Sequence, residues 1–154
     1  MAENAALSEE LYQWLSGNDL DSKQYTAMLL LSTTEDGWPH TAMISVGEIV
    51  ALDPAHLRLG LWHGTVTTGN LLRTGRATLV AIHEGVAHYV RMRLLALPDL
   101  PQALHPRQRF AADIVHVRED VAKYADILSG VTVRLHKPDE VLQRWEHSIQ
   151  ELLK

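Results

Sequence analysis

Three threonines stand close together where a predicted strand passes into a short helix. Thr65, Thr67 and Thr68 follow the strand-like residues 57–62, and Gly75 ends the helix. A helix start presents unpaired backbone N–H groups and the positive end of the helix dipole, which together can hold a phosphate. A threonine at this point can also serve only as a helix cap, so the spacing leaves a phosphate site and a simple cap both open.

Trp62 and His63 come just before the threonines and are the next candidates for chemistry. Trp62 ends the strand, where its ring would belong either to the core or to the wall of a cleft. His63 has the position of a possible general base, whereas the nine histidines as a set contain no HExxH motif. The sequence also lacks cysteine, a nucleophile elbow and a phosphate loop. These absences exclude cysteine chemistry, and we predict no metal site.

The composition limits the partners that the chain can have. Its 154 residues fit one domain, and a net charge of −5 with a pI near 5.9 argues against nucleic acid and against an anionic membrane surface. No apolar run is long enough to cross a bilayer, and residues 1–4 lack the basic start of a secretion signal. We therefore predict a cytoplasmic protein with a single domain over residues 1–154.

Hydrophobic periodicity predicts a mainly β chain flanked by helices. An amphipathic helix is expected at about residues 8–17, strands fill about residues 25–135, and a second amphipathic helix covers about residues 138–152. Tight turns between successive strands favour antiparallel pairing, and about six such strands commonly close into a barrel that leaves few free edges. The predicted fold class is α+β but mainly β, a small antiparallel barrel with peripheral helices.

Two segments late in the chain have less regular patterns. Residues 107–118 mix apolar and polar positions, and both a strand and a helix remain open there. Residues 119–128 place Val121, Tyr124 and Leu128 on one helical face, which predicts a helix.

The first strand pair and the threonine segment carry two motifs of a known family. Residues 28–43, with an Asp36-Gly37 turn, resemble the opening L-x-T-x-x-x-D-G-x-P-x-x-x of the pyridoxamine 5′-phosphate oxidase-like, FMN-binding split-barrel family. Residues 64–79 are similar to that family's segment G-S-x-K-x-x-N-L-x-x-N-P-R-V-x-L. Together with the strand order, the likeness covers roughly residues 22–135. The resemblance implies an antiparallel split barrel, in agreement with the fold that periodicity predicts.

The resemblance also implies where a cofactor would bind. Family members are usually homodimers that hold FMN in a cleft between subunits, so we expect a homodimer and FMN here. The strand at residues 40–46 would lie against the flavin ring, residues 62–63 near the ring or ribityl chain, and the start of the helix at the phosphate. The cofactor-binding residues that the resemblance implies are Met43, Ser45, Trp62, His63, Thr65, Thr67, Thr68 and Asn70.

The helix start departs from the family in its charge. The family commonly has one or two cations at the positions of Val66 and Thr67, where this chain has none. Charge-assisted hydrogen bonds to phosphate are about twice as strong as neutral ones, so their loss could weaken binding by about two decades. Arg91 or Arg93, on a later strand, could supply the missing charge.

Several functions are compatible with this fold and these residues. The resemblance implies an FMN-binding flavoprotein, and with it a flavin-dependent oxidoreductase whose cofactor carries the chemistry. The arginine-rich C-terminal segment with which pyridoxamine 5′-phosphate oxidases hold substrate is missing, since residues 138–152 form a predicted helix instead. The alternatives on the same fold are a non-catalytic flavin-binding protein, a cofactor-free stress-response protein, and a protein that holds deazaflavin or haem.

Overall fold

Short turns separate most of the strands, and every strand pair in the structure is antiparallel. The structure, a computed structural model, describes residues 5–154. Its helices are α1 (Glu9–Trp14), α2 (Val66–Thr74) and α3 (Pro138–Leu152), and a 3₁₀ turn covers Leu20–Lys23. Its strands are β1 (Thr26–Thr33), β2 (Pro39–Ile44), β3 (Ile49–Asp53), β4 (His56–Leu61), β5 (Arg76–His83), β6 (Val86–Leu97), β7 (Gln108–Asp120) and β8 (Val131–Thr132). None of the helices in this range combines the length and the apolar character that a membrane crossing would require.

The strands form one sheet that must roll up. The hydrogen-bonded order is β2–β1–β5–β6–β7–β4–β3, with β8 added to β1. A flat sheet in this order would hold β2 and β3 about 29 Å apart, at about 4.8 Å per strand. Residues 45–48 connect these two strands, however, and so short a link spans at most about 17 Å. The sheet therefore curls into a barrel whose unpaired ends are β2 and β3, and the predicted antiparallel barrel with peripheral helices is confirmed.

The terminal helices form close to where the sequence predicts them. Ser8 caps α1, since its Oγ accepts a hydrogen bond from the Leu11 N–H at 3.2 Å. The helix ends at Trp14, before the predicted end at residue 17. At the other end of the chain, α3 covers the predicted residues and begins with Pro138, whose ring suits the first turn of a helix.

One close contact fixes α3 on the barrel. Trp145 of α3 is buried against Gly47, in the turn between β2 and β3. A Cβ atom on Gly47 would lie 2.2 Å from Cδ1 of Trp145, so only glycine permits this approach. Arg58 of β4 adds a hydrogen bond, because its Nη1 donates to the carbonyl of Leu152 at 2.8 Å. The helix is thereby tied to the strands along its buried face.

Two expectations for the later part of the chain are settled by the structure. Residues 107–118, which were open to a strand or a helix, lie largely in β7. The helix predicted at residues 119–128 is wrong, because β7 continues to Asp120 and the residues that follow are irregular. Val121, Tyr124 and Leu128 are 60%, 94% and 92% exposed, so the predicted apolar face has no surface to pack against. A short helix without such packing is marginal in water.

His88 is a histidine enclosed by the sheet. It lies on β6 and is 3% exposed, between its register partners Ala81 on β5 and Glu119 on β7. Its Nδ1 atom lies 3.7 Å from Oε1 of Glu119 and has no hydrogen-bond partner among residues 5–154. Burial lowers the pKa of His88, and the charge of Glu119 offsets this only in part.

We expect the free energy of unfolding to fall as the pH drops through the range in which His88 titrates. The folded state holds the pKa below 6.5, so the unfolded chain takes up the proton first and stability is lost below about pH 6.5. Urea unfolding at about pH 5 and about pH 7.5 should show a larger loss for the wild-type protein than for His88→Gln, which cannot ionise. An equal loss in both proteins would contradict this role of His88.

Candidate functional site

The start of α2 forms as the threonine spacing predicts. Thr65 is the N-cap, and its Oγ1 accepts a hydrogen bond from the Thr68 N–H at 3.1 Å. The Thr68 hydroxyl donates to the carbonyl of Trp62 at 2.6 Å, which closes the turn between β4 and α2. Gly75 ends the helix with a φ of +64°, and its N–H donates to the Leu71 carbonyl at 2.8 Å. The capping role of Thr65 is therefore built into the fold.

The threonine hydroxyls at this point are already engaged by the protein. Oγ1 of Thr65 lies 3.1 Å from Oγ1 of Thr68, beside the cap bond. Thr67 is buried, and its Oγ1 lies 3.2 Å from Nε2 of His40. The groups left for an anion are the backbone N–H groups of Val66 and Thr67, which precede the first i→i−4 bond of the helix.

His40 is a residue of this site that the motif analysis did not single out. It lies on β2, just after the hairpin turn, and brings an ionisable imidazole to the start of α2 through Thr67. Its register partner on β1 is Ser32, whose Oγ accepts a hydrogen bond from Nδ2 of Asn70 at 3.0 Å. In the sequence, the one hint of a role for His40 is its place directly after Pro39 in the hairpin motif. Its contact with Thr67 joins residues 27 positions apart and could not be predicted from local spacing.

Two residues that the resemblance placed at the cofactor are held inside the protein's own hydrogen-bond network. Asn70 is 3% exposed, and its Oδ1 accepts a hydrogen bond from Nη1 of Arg73 at 3.2 Å. Ser45 lies in the turn after β2, where Oε2 of Glu48 accepts its backbone N–H at 2.7 Å and lies 3.4 Å from its hydroxyl. Burial raises the pKa of Glu48, against the opposing effect of these hydrogen bonds. Met43, by contrast, is 62% exposed on β2.

Trp62 and His63 open onto a cleft of about 200 Å³ beside α3 and the loop at residues 98–107. The arginine cleft, as we name it, is lined by Arg107, Arg109 and Arg144, together with the two aromatic rings of Trp62 and Trp145. The guanidinium of Arg107 lies 3.5 Å from the centre of the Trp62 ring, within the range of a cation–π interaction. Trp62 is therefore part of a cleft wall rather than of the core.

A second cleft, of about 440 Å³, holds the arginines that were considered for the phosphate. Arg91 and Arg93 line it from β6, together with Arg76 of β5 and Pro39 of β2. Within residues 5–154, neither Arg91 nor Arg93 forms a hydrogen bond or an ion pair with α2. No group of three histidine, aspartate or glutamate side chains converges on a possible metal site in the same range.

The start of α2 fits a phosphate held by backbone groups rather than by charged side chains. Val66 and Thr67 offer N–H groups at the positive end of the helix dipole, and Val66 is 58% exposed. No lysine or arginine forms a hydrogen bond with residues 65–68 in the part of the chain that the structure describes. His40 is the ionisable neighbour. The geometry is therefore compatible with FMN, at lower affinity than a site with cations would give.

We expect the loss of the Thr65 cap to destabilise the protein. In Thr65→Ala the Thr68 N–H loses its acceptor, which should lower the free energy of unfolding by about 1 kcal/mol. Thr65→Ser is the matched control, since serine caps a helix equally well. Urea unfolding of the three proteins checks this, and equal stability of Thr65→Ala and wild type would show that the cap contributes nothing.

Comparison with known proteins shows close similarity to a bacterial protein. The uncharacterized protein YclD of Bacillus subtilis (strain 168) is 48% identical over 146 residues, which is 95% of either chain. No family model matches this sequence.

Solved structures share the fold at low sequence identity. A Lactobacillus delbrueckii protein provisionally described as a pyridoxamine 5′-phosphate oxidase superposes with a TM-score of 0.59 and 20% identity, over 77% of this chain and 99% of that one. An FMN-binding protein of Syntrophomonas wolfei gives a TM-score of 0.50 and 14% identity, over 71% of this chain and 88% of that one. The chain therefore belongs to the family of YclD, and its fold is the split barrel of the pyridoxamine 5′-phosphate oxidase-like, FMN-binding proteins.

Proposed function

We propose that the protein is an FMN-binding flavoprotein whose cofactor phosphate lies at the start of α2. The observation that carries the proposal is the open end of this helix, where the N–H groups of Val66 and Thr67 precede the first helical bond. The fold, shared with an FMN-binding protein of Syntrophomonas wolfei, supports the same ligand. Bound FMN would supply two-electron redox chemistry, so a flavin-dependent oxidoreductase is the enzyme class that we favour.

Each residue near the helix start would have a defined task. The N–H groups of Val66 and Thr67 would donate to the phosphate, and His40 would hold Thr67 in place from the neighbouring strand. Met43 on β2 is 62% exposed and would offer apolar surface to the flavin ring, whereas Trp62 faces the arginine cleft. The protein's own contribution is thus to bind and orient the cofactor.

A cofactor-free or non-catalytic protein on the same fold is the second candidate. The observation in its favour is that the hydroxyls of Thr65, Thr67 and Thr68 are engaged within the protein and that no cation stands beside them. The visible spectrum of the purified protein separates the two. Flavin bands, with FMN released on denaturation, support the first candidate. A colourless protein that leaves the fluorescence of FMN unquenched at about 50 µM supports the second.

We expect a lysine at the exposed first position of α2 to strengthen FMN binding. Val66→Lys would add a charge-assisted hydrogen bond to the phosphate and lower the dissociation constant for FMN about tenfold. Thr67 is the poorer choice, because it is buried against His40 and a lysine there would be forced out of place. Quenching of flavin fluorescence gives the dissociation constants for FMN and for riboflavin, which lacks the phosphate.

A matched control lies on the same helix. Leu72 is 52% exposed near the other end of α2, so Leu72→Lys adds the same charge away from the helix start. It should leave FMN binding within about twofold of wild type, and riboflavin binding should be unchanged in both variants. If Val66→Lys binds FMN no more tightly than Leu72→Lys, the phosphate does not lie at the start of α2.

We further propose that a second copy of the chain covers residues 121–128. The support is the exposure of three large apolar or aromatic side chains in one irregular segment: Val121, Tyr124 and Leu128, at 60%, 94% and 92%. Large side chains left in water in this way are typical of an interface, and the resemblance to split-barrel dimers makes another copy the partner that we favour.

Light scattering tests the dimer directly. We expect a mass of about twice the 17.3 kDa chain for the wild-type protein. The double variant Tyr124→Asp with Leu128→Asp would bury two charges in the interface and should dissociate the dimer. Because both side chains are exposed in the single chain, the variant should still fold. A monomeric mass for the wild-type protein would contradict the proposal.

A further inference from the structure

Arg109 is a buried cation that forms no ion pair with another described residue, and the charges of Glu151 and Asp99 reach it only from beyond 4.0 Å. It lies on β7 and is 7% exposed, and its Nη1 donates to the carbonyl of Pro98 at 3.1 Å. Its Nε atom has no hydrogen-bond partner, and no carboxylate lies within 4.0 Å of its guanidinium among residues 5–154. Burial, followed by the nearby charge of Arg58, lowers the pKa of Arg109. Such a group is costly in a folded protein unless something else neutralises it.

Two further guanidinium groups line the same cleft. Arg107 lies against the Trp62 ring and donates to the carbonyl of its neighbour Pro106 at 2.9 Å. Arg144 reaches the cleft from α3. Neither forms an ion pair in the described part of the chain, so most of the N–H donors of the three arginines have no protein acceptor.

Among residues 5–154, two of the three carboxylates that line the cleft accept hydrogen bonds from backbone N–H groups. Oε1 of Glu151 accepts the backbone N–H groups of Leu104 and His105, at 2.9 and 3.1 Å. Glu48 accepts the N–H of Ser45. Asp99 is the third acidic residue of the lining, and it too lies beyond 4.0 Å from every guanidinium. The cleft thus combines guanidinium donors that form no ion pair with two carboxylates, of Glu48 and Glu151, that hold the turn and the loop in place.

We propose that the arginine cleft binds a compact organic anion, a carboxylate or a phosphate ester. Its acidic oxygens would accept hydrogen bonds from Arg109 and Arg107, and its apolar body would lie against Trp62. The volume of about 200 Å³ is below the roughly 300 Å³ at which pockets for drug-sized ligands begin, which favours a ligand smaller than a flavin. The site is separate from the start of α2 and does not depend on FMN.

Calorimetric titration with three probes tests this site. Benzoate and phenyl phosphate carry the anionic group on an aromatic body, and benzamide is the neutral counterpart of benzoate. We expect both anions to bind at least about tenfold more tightly than benzamide, since only they neutralise the arginines. Equal affinity for benzoate and benzamide would overturn the proposal, as would the absence of anion binding up to about 10 mM.

Single substitutions show which arginines of the cleft contribute to benzoate binding. Arg109→Met should weaken benzoate binding at least about tenfold and raise the melting temperature of the ligand-free protein, because a buried unpaired charge is removed. If Arg109→Met does not fold, Arg107→Gln replaces it as the test, because Arg107 is only half-buried. We expect the same loss of benzoate binding in that variant. Arg118→Gln is the control, since Arg118 also lies over an aromatic ring, that of Tyr89 at 4.4 Å, but outside the cleft. Wild-type affinity in both cleft variants would overturn the proposal.

Competition with FMN keeps this site distinct from the proposed cofactor site. We expect saturating benzoate to leave FMN affinity within about twofold, and Arg109→Met to do the same. If benzoate and FMN exclude each other and Arg109→Met loses both, the cleft holds the flavin phosphate and the separate anion site is wrong. If benzoate binds and FMN does not, the anion site stands and the proposed flavin function fails.

Discussion

Polar contacts between α2 and the first two strands set the position of everything else at the candidate site. Asn70 donates to Ser32 on β1, and Thr67 meets His40 on β2. These groups are wholly or partly buried, so the loss of either contact would leave a polar atom without a hydrogen-bond partner. The helix therefore has little freedom to slide or rotate on the strands. Because α2 is fixed in this way, its start is fixed as well, together with the turn that carries Trp62 to the arginine cleft.

Local patterns were enough to predict the elements, because short-range chemistry decides them. Thr65 caps α2 and Gly75 ends it through contacts within one helical turn. The contact of His40 with Thr67 was not predictable in the same way, since it depends on how a helix docks on a strand 27 residues earlier. For residues 119–128, in contrast, a local pattern predicted a helix that does not form. An amphipathic pattern indicates that one face is apolar, but not that this chain provides a surface to cover it.

The two proposed sites would hold negative charge by different means. At the start of α2 the donors would be backbone N–H groups, which the first turn of any helix presents whatever its side chains are. In the arginine cleft the donors are guanidinium groups, of which Arg109 is enclosed by the fold. A backbone site favours a ligand that exchanges readily, whereas a buried guanidinium selects strongly for charge.

The amide resonances of Val66 and Thr67 show directly whether the phosphate of FMN binds at the start of α2. Nitrogen-15 NMR titration with FMN and with riboflavin compares two ligands that share the ring and differ in the phosphate. We predict that FMN shifts both amides strongly and that riboflavin leaves them nearly unchanged, because only FMN brings an acceptor to these N–H groups. If FMN binds while both amide resonances stay in place, the phosphate does not lie at the start of α2.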